Sequence, residues 1–225
     1  MENRKIYLTN HLKIFDSIIT SKRFEMINII NQLVSLNNLK NVLDVGTTSD
    51  YENPNSNLIV KNLKNIKKFY SISNQTINSP FFEKALKKSI VDNLDKEEIE
   101  EFKSDLVIST ATIEHVGSFE NQRTMIKNMI KLSKEMIIIT TPNRFHPIEF
   151  HTKIPFIHWL PRNVHRKILQ FLNLTFYAKE ENLNLLSKSD FIKLVEGEDI
   201  DYGFKFVNLF FCKSNLIFIA KKFKS

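Results

Sequence analysis

The 225-residue sequence holds one cysteine, Cys212, so no internal disulfide can form and no cysteine-based metal site can be built. Cys212 lies in an apolar run and reads as a small core residue. Glycine is almost as scarce: there are four, and Gly46 is the only one in the first 116 residues. That scarcity argues against a nicotinamide oxidoreductase, whose phosphate-binding turn needs G-x-G-x-x-G after the first strand. No run approaches the roughly 18 continuous apolar residues of a membrane span. Met1 to Phe15 lacks the long apolar stretch of a signal peptide. Together these absences point to a cytoplasmic protein.

The rest of the composition is that of a globular chain, with 42% apolar and 25% charged residues. The length suits one domain with a sizeable core and a small insertion. The net charge is +7, but the basic residues are scattered and paired with acids, as in Lys96-Glu97-Glu98 and Glu100-Glu101 beside Lys103. A nucleic-acid face would cluster them, so none is expected. The excess reads as a lysine- and asparagine-rich bias.

Along the chain, Met26, Ile27, Ile30, Leu33 and Val34 repeat at helical spacing. The run Val42-Leu43-Asp44-Val45 then reads as a buried strand closed by Gly46. Ser56 can cap a helix to about Lys64, and Phe69 to Ser73 reads as a second strand. Ser79-Pro80 is a helix-start pair, which implies a helix carrying Phe81, Phe82, Ala85 and Leu86. Ser89 to Asp92 is then the third strand. Asp95 and Glu98 form a capping box for a helix over 95–102. Strands follow at Asp105–Thr110 and Met136–Thr141, with a helix between them from about Phe119 to Ser133. Further helices are expected over 162–172 and 188–196. Apolar runs at 204–211 and 215–220, broken at Cys212-Lys213-Ser214, read as a terminal hairpin. The alternation to residue 141 implies an α/β fold with a mainly parallel sheet covered on both faces.

Three segments resemble motifs of class I S-adenosylmethionine-dependent methyltransferases, in particular the type 11/12 kind. They are VLDVGTTSD at 42–50, SDLVISTATIEHV at 104–116 and MIIITTPN at 136–143. The terminal hairpin fits the same pattern. The resemblance covers roughly 40–220. It implies a Rossmann-like, doubly wound, mainly parallel seven-stranded sheet with an antiparallel last strand. It also implies S-adenosyl-L-methionine as cofactor and a small-molecule methyl acceptor. On this reading Asp44 and Gly46 line the methionine end, with Thr47 and Thr48 in the turn. Ser73 and Asn74 stand at the ribose position, Asp92 lies near the adenine, and Ser109 and Thr110 face the cofactor. The sequence departs from the pattern twice. Thr47, Thr48 and Ser49 replace the glycines usual after Gly46, and Ser73-Asn74 replaces an acidic residue. These departures suit the alternative of a non-catalytic relative that keeps the fold and serves as a binding or assembly protein.

Candidate general bases are His115, His146, Glu149 and His151. Some quinone-pathway O-methyltransferases that resemble this group hold a metal on glutamate, two residues, then glutamate-histidine. Here Ala111 occupies the first position, so Glu114-His115 is expected to start a helix and bond locally. H-x2-E-x-H over 146–151 is not a standard zinc motif. No metal is therefore expected. Residues 143–165 hold three prolines, four of the six histidines and the single tryptophan. They read as an insertion, extending over 143–190, that caps the site and contributes the acceptor pocket. Ile154 to Leu160 within it is a lid, a membrane-touching patch or subdomain core. The acceptor and the oligomeric state are not encoded in any motif.

Overall fold

The computed structural model describes residues 13–50 and 53–222, and the signal-peptide reading of Met1 to Phe15 falls mostly outside them. The elements in chain order begin with α1 (Lys13–Leu36), β1 (Asn41–Val45), α2 (Leu58–Lys61), β2 (Lys68–Ser73), β3 (Lys84–Lys87) and α3 (Lys96–Phe102). Then come β4 (Ser104–Thr110), α4 (Phe119–Leu132), β5 (Ser133–Pro142), α5 (Arg162–Phe171), α6 (Lys188–Leu194), β6 (Ile200–Leu209) and β7 (Cys212–Lys222). The seven strands lie in the order β3-β2-β1-β4-β5-β7-β6. Strands β1 to β5 pair in parallel, whereas β7 runs antiparallel to both of its neighbours, β5 and β6.

The strand side chains alternate between two cores, as a period of two requires. Leu43, Val45, Val107, Ile137 and Ile139 pack with Met125 and Met129 of α4 and Phe191 of α6. Val42, Leu106, Ile108, Met136 and Ile138 pack on the opposite face with Ile27, Ile30 and Val34 of α1. Burial on both faces explains why these strands read as continuous apolar runs. Each fully buried Leu or Ile stabilises the fold by roughly 1.5–3 kcal/mol. Among the described residues, no helix is long and apolar enough to cross a membrane.

Two helix starts follow their local chemistry. Asp95 accepts from the Glu98 amide while the Glu98 carboxylate accepts from the Asp95 amide, the expected reciprocal box. Ser187 and Asp190 form a second box at α6. Elsewhere tertiary context overrides local pattern. The stretch read as a helix after Ser79-Pro80 turns once, with Phe82 bonded back to Ser79, and continues into β3. The third strand is therefore 84–87 rather than 89–92, and Asp92 lies in the turn beyond it. In that turn its carboxylate accepts from the Ser89 amide. β3 is an edge strand with almost no buried side chain, so it carries no alternating signal. Asn57, not Ser56, precedes α2, in the left-handed region at φ 55°. The terminal hairpin turns at Phe210-Phe211, both at positive φ, and Cys212 begins β7.

Residues 143–187 leave the carboxyl end of β5 and carry a small core of their own. Leu169, Tyr177, Ala178, Leu183 and Leu185 are buried there, with Ile154 and Ile157 against them. Phe156, Trp159 and Leu160 of the same stretch are exposed, so only part of the 154–160 run is subdomain core.

Candidate functional site

The carboxyl ends of β1, β2, β4 and β5 converge at the edge where open α/β sheets bind ligands. Gly46 follows β1 at φ +90°, and its amide donates to the Ile72 carbonyl of β2. The next residues form a turn held by side chains instead of glycines. The Ser71 hydroxyl donates to Thr47 Oγ1, which donates to the Asp44 carboxylate at 2.7 Å. Ser73 donates to the Thr47 carbonyl. The Asn57 amide side chain bonds both the amide and the carbonyl of Thr48. Gln75 accepts from the amide and hydroxyl of Ser49.

Asp44 is fully buried, and burial pushes its carboxyl up to about 6, against the opposing hydrogen bond from Thr47. It has no ion-pair partner among the described residues. Ser109 is also fully buried, its hydroxyl donating to the Val45 carbonyl, so it locks β4 to β1. Thr110 ends β4 half-exposed, Asn74 is exposed after β2, and Ala111 takes φ +51° immediately after β4. Positive φ at a non-glycine residue is strained and concentrates at functional edges. A cavity of about 340 Å³ is lined by Val34, Ser35, Asn38, Lys40 and Lys67. It opens at the amino ends of β1 and β2, on the far side from this chemistry.

Of the four candidate bases, three come together. His115 ends a 3-10 turn, Ile113–His115, that follows β4, and His151 comes from the insertion. Their Nε2 atoms lie 3.2 Å apart, with the rings edge to face. Glu149 stands behind His151, its Oε1 at 2.6 Å from His151 Nδ1. Burial alone raises the Glu149 carboxyl. The hydrogen bond and charge of His151, with the amides of His151 and Thr152, outweigh this and hold it at about 2. For His151 burial acts downward, and the hydrogen bond and charge of Glu149, with the charge of Glu114, reverse it to a net rise. Both shifts describe one ion pair.

His146 does not join them. It is buried in the insertion, stacked on Phe150, with Nδ1 bonded to the Ile148 backbone. Its carbonyl accepts from His158 and Trp159. Three further residues that were not among the candidates carry the site: Thr141, inside the 136–143 motif, and Asn182 and Asn184, which belong to none. Thr141 donates to Glu114 Oε2, and the Asn182 carbonyl faces His115 Nδ1 at 2.6 Å. Asn184 ties the insertion to the β4 loop through the Glu114 and Gly117 carbonyls.

No family model matches the chain, and no curated protein matches it in sequence. Solved structures do match its fold. Magnesium protoporphyrin IX methyltransferase from Synechocystis PCC 6803, with bound SAM, superimposes with a TM-score of 0.56 at 12% identity. That match covers 97% of this chain and 88% of the other. The N-methyltransferase NodS from Bradyrhizobium japonicum WM9 gives 0.54 at 10% identity, over 91% and 98% of the two chains. The methyltransferase domain of bacterial CtHen1 gives 0.56 at 13% identity, over 88% and 96%. The chain has the Rossmann-like fold of class I S-adenosylmethionine-dependent methyltransferases. Its strand order, with β7 inserted antiparallel between β5 and β6, is the particular form the resemblance implied.

Proposed function

We propose that this protein transfers a methyl group from S-adenosyl-L-methionine to an oxygen or nitrogen of a small-molecule acceptor. The observation that carries the reading is Asp44: a buried carboxylate beside the Gly46 turn, with no cationic partner of its own. Above pH 6 it is a buried anion, and a ligand bearing an ammonium or sulfonium group would relieve it. The solved relatives in fold include one crystallised with SAM and one with SAH. When bound, the cofactor supplies an already activated methyl group on sulfonium sulfur.

The protein's own contribution is alignment and exclusion of water. Gly46, Thr47 and Thr48 would support the methionine end, Ser73 and Asn74 the ribose side, and Asp92 the adenine side. Ser109 keeps β1 and β4 in register, and Thr110 borders the methyl-transfer position. The insertion over 143–190 would close the site and shape the acceptor pocket. His115 and His151 reach the sheet edge and would promote loss of the acceptor proton, with Glu149 orienting His151.

A second reading, a non-catalytic binding or assembly protein, is favoured by one observation. The Thr112 side chain packs on Gly46, the residue that the resemblance puts at the methionine end of the cofactor. Calorimetric titration with S-adenosylmethionine and S-adenosylhomocysteine separates the two. Binding with micromolar affinity supports the enzyme, and no heat at millimolar ligand sinks it.

A further inference from the structure

We propose that Glu114, His115 and His151 form a binding site for one divalent first-row transition ion, of the zinc type. A donor atom from each of the three residues lies within 4.8 Å of the other two. The tautomers follow from the partners. The Asn182 carbonyl can only accept, so His115 carries its proton on Nδ1. Glu149 Oε1 accepts from His151, so that ring also carries its proton on Nδ1. In their neutral forms both imidazoles therefore aim bare Nε2 lone pairs at each other across 3.2 Å. Metal-bound histidines are held in this way, with the remote N–H given to a carboxylate or backbone carbonyl.

A single proton shared between the two Nε2 atoms would also satisfy the rings. It would leave Glu114 unexplained. Glu114 is 0% exposed; its Oε2 is bonded to Thr141, and its Oε1 has no hydrogen-bond partner among the described residues. One cation between the three residues satisfies Oε1 and both nitrogens at once.

Two imidazoles and one carboxylate favour a borderline ion such as zinc over magnesium or calcium, which prefer oxygen. Three protein ligands leave a coordination position open. With the ion bound, His115 and His151 act as its ligands and not as direct bases: an acceptor hydroxyl in the open position would be acidified by the ion, its proton passing to solvent as the oxygen attacks the methyl carbon. The C–O bond forms as the C–S bond breaks, leaving a neutral thioether. This role rests on the proposed methyl transfer; ion binding does not. The ligands also span two segments, so the ion would pin the insertion to the loop after β4.

The test is titration of the metal-free protein with Co2+ and Zn2+, following visible cobalt absorption and displacement by zinc. The expected result is one equivalent bound, with weak competition from Mg2+. His115→Ala, on an exposed side chain, should abolish the cobalt spectrum while the far-UV circular dichroism stays unchanged. His151→Ala should do the same. Glu149→Gln, which keeps all three ligands, should weaken binding about 10- to 100-fold. Absence of a cobalt spectrum in the wild type, or an unchanged spectrum in His115→Ala and His151→Ala, overturns the site and leaves a proton-sharing histidine pair. Binding of S-adenosylmethionine measured on the same samples keeps failure of the metal site separate from failure of the methyltransferase reading.

Discussion

Gly46 and Thr112 share one volume. A Cβ built on Gly46 would stand 2.3 Å from Thr112 Oγ1 and 2.9 Å from Thr112 Cβ. Rotation of the threonine cannot clear the second contact, because Cβ does not move with χ1. The glycine is therefore required by the loop after β4 and by its own φ of +90°, before any ligand is considered.

Gly46→Ala is expected to destabilise the fold by about 1–3 kcal/mol, through positive φ and overpacking. Thr112→Gly in the same chain should recover the overpacking part and leave the backbone part. Urea denaturation of the four proteins of this double-mutant cycle measures the coupling. A cycle with no coupling would place the cost in the backbone alone. Gly46→Val should also eliminate binding of S-adenosylmethionine.

The pH dependence of stability should contain two opposing contributions. Asp44 titrates at 3.8 when unfolded and about 6 when folded. The native state binds its proton more tightly, so this contribution is greatest below pH 3.8 and falls as pH rises to about 6. Burial pushes the His165 imidazole from 6.5 down to about 4. Its contribution is full above pH 6.5 and falls as pH drops toward 4. In the wild type the two slopes partly cancel. Asp44→Asn should raise stability at pH 7 by up to about 3 kcal/mol and expose a profile that climbs between pH 4 and 6.5. Chemical denaturation across that range reads both effects. A variant with the wild-type profile would show that Asp44 is not perturbed.

The insertion histidines should divide by role. His146→Ala removes a buried ring stacked on Phe150 and is expected to cost about 1–3 kcal/mol with a lowered melting temperature. His151→Ala removes a ring whose side chain is only 13% exposed and leaves Glu149 buried without its ion-pair partner, so it too should lower the melting temperature of the metal-free protein. If methyl transfer occurs, His151→Ala should slow it at least tenfold without changing cofactor affinity. Equal loss of methyl transfer in the two variants would reject the division.

The terminal hairpin offers a test of strain. Phe210 and Phe211 occupy a two-residue turn at φ 50° and 64°, where asparagine and glycine are the residues of choice. Phe210→Asn with Phe211→Gly is expected to stabilise the protein by about 1–2 kcal/mol. Thermal unfolding would check it. A loss of stability would mean that the exposed phenyl rings make contacts outweighing the strain.

Much of the fold was legible because its signals are local or periodic. Strands covered on both faces must be apolar throughout, so β1, β4 and β5 stood out in composition. Asp95 and Glu98 bond each other's backbone within a single turn, so their spacing sufficed to place α3, and Glu98 pairs with Lys88 in addition. The Asp44-x-Gly46 turn was equally visible, because one residue type tolerates that φ next to a neighbouring side chain. β3 was not visible, since an exposed edge strand has no apolar face to repeat. The hairpin tip was hidden because its turn is built from phenylalanines, which local preference excludes.

The candidate site divides in the same way. The sequence by itself determined the parallel sheet, the edge where β1 and β4 end, and the chemical types available there. It could not determine which of those groups meet. Glu114 and His115 lie 36 or more residues from His151, with a helix, a strand and part of the insertion between them. Their meeting depends on the insertion docking against the loop after β4 through Asn182 and Asn184. No periodicity encodes such a contact, because it arises from packing between segments and not from the order of residues within one. Tertiary structure alone turned Glu149 toward His151, turned His146 away into the insertion, and set Thr112 on Gly46.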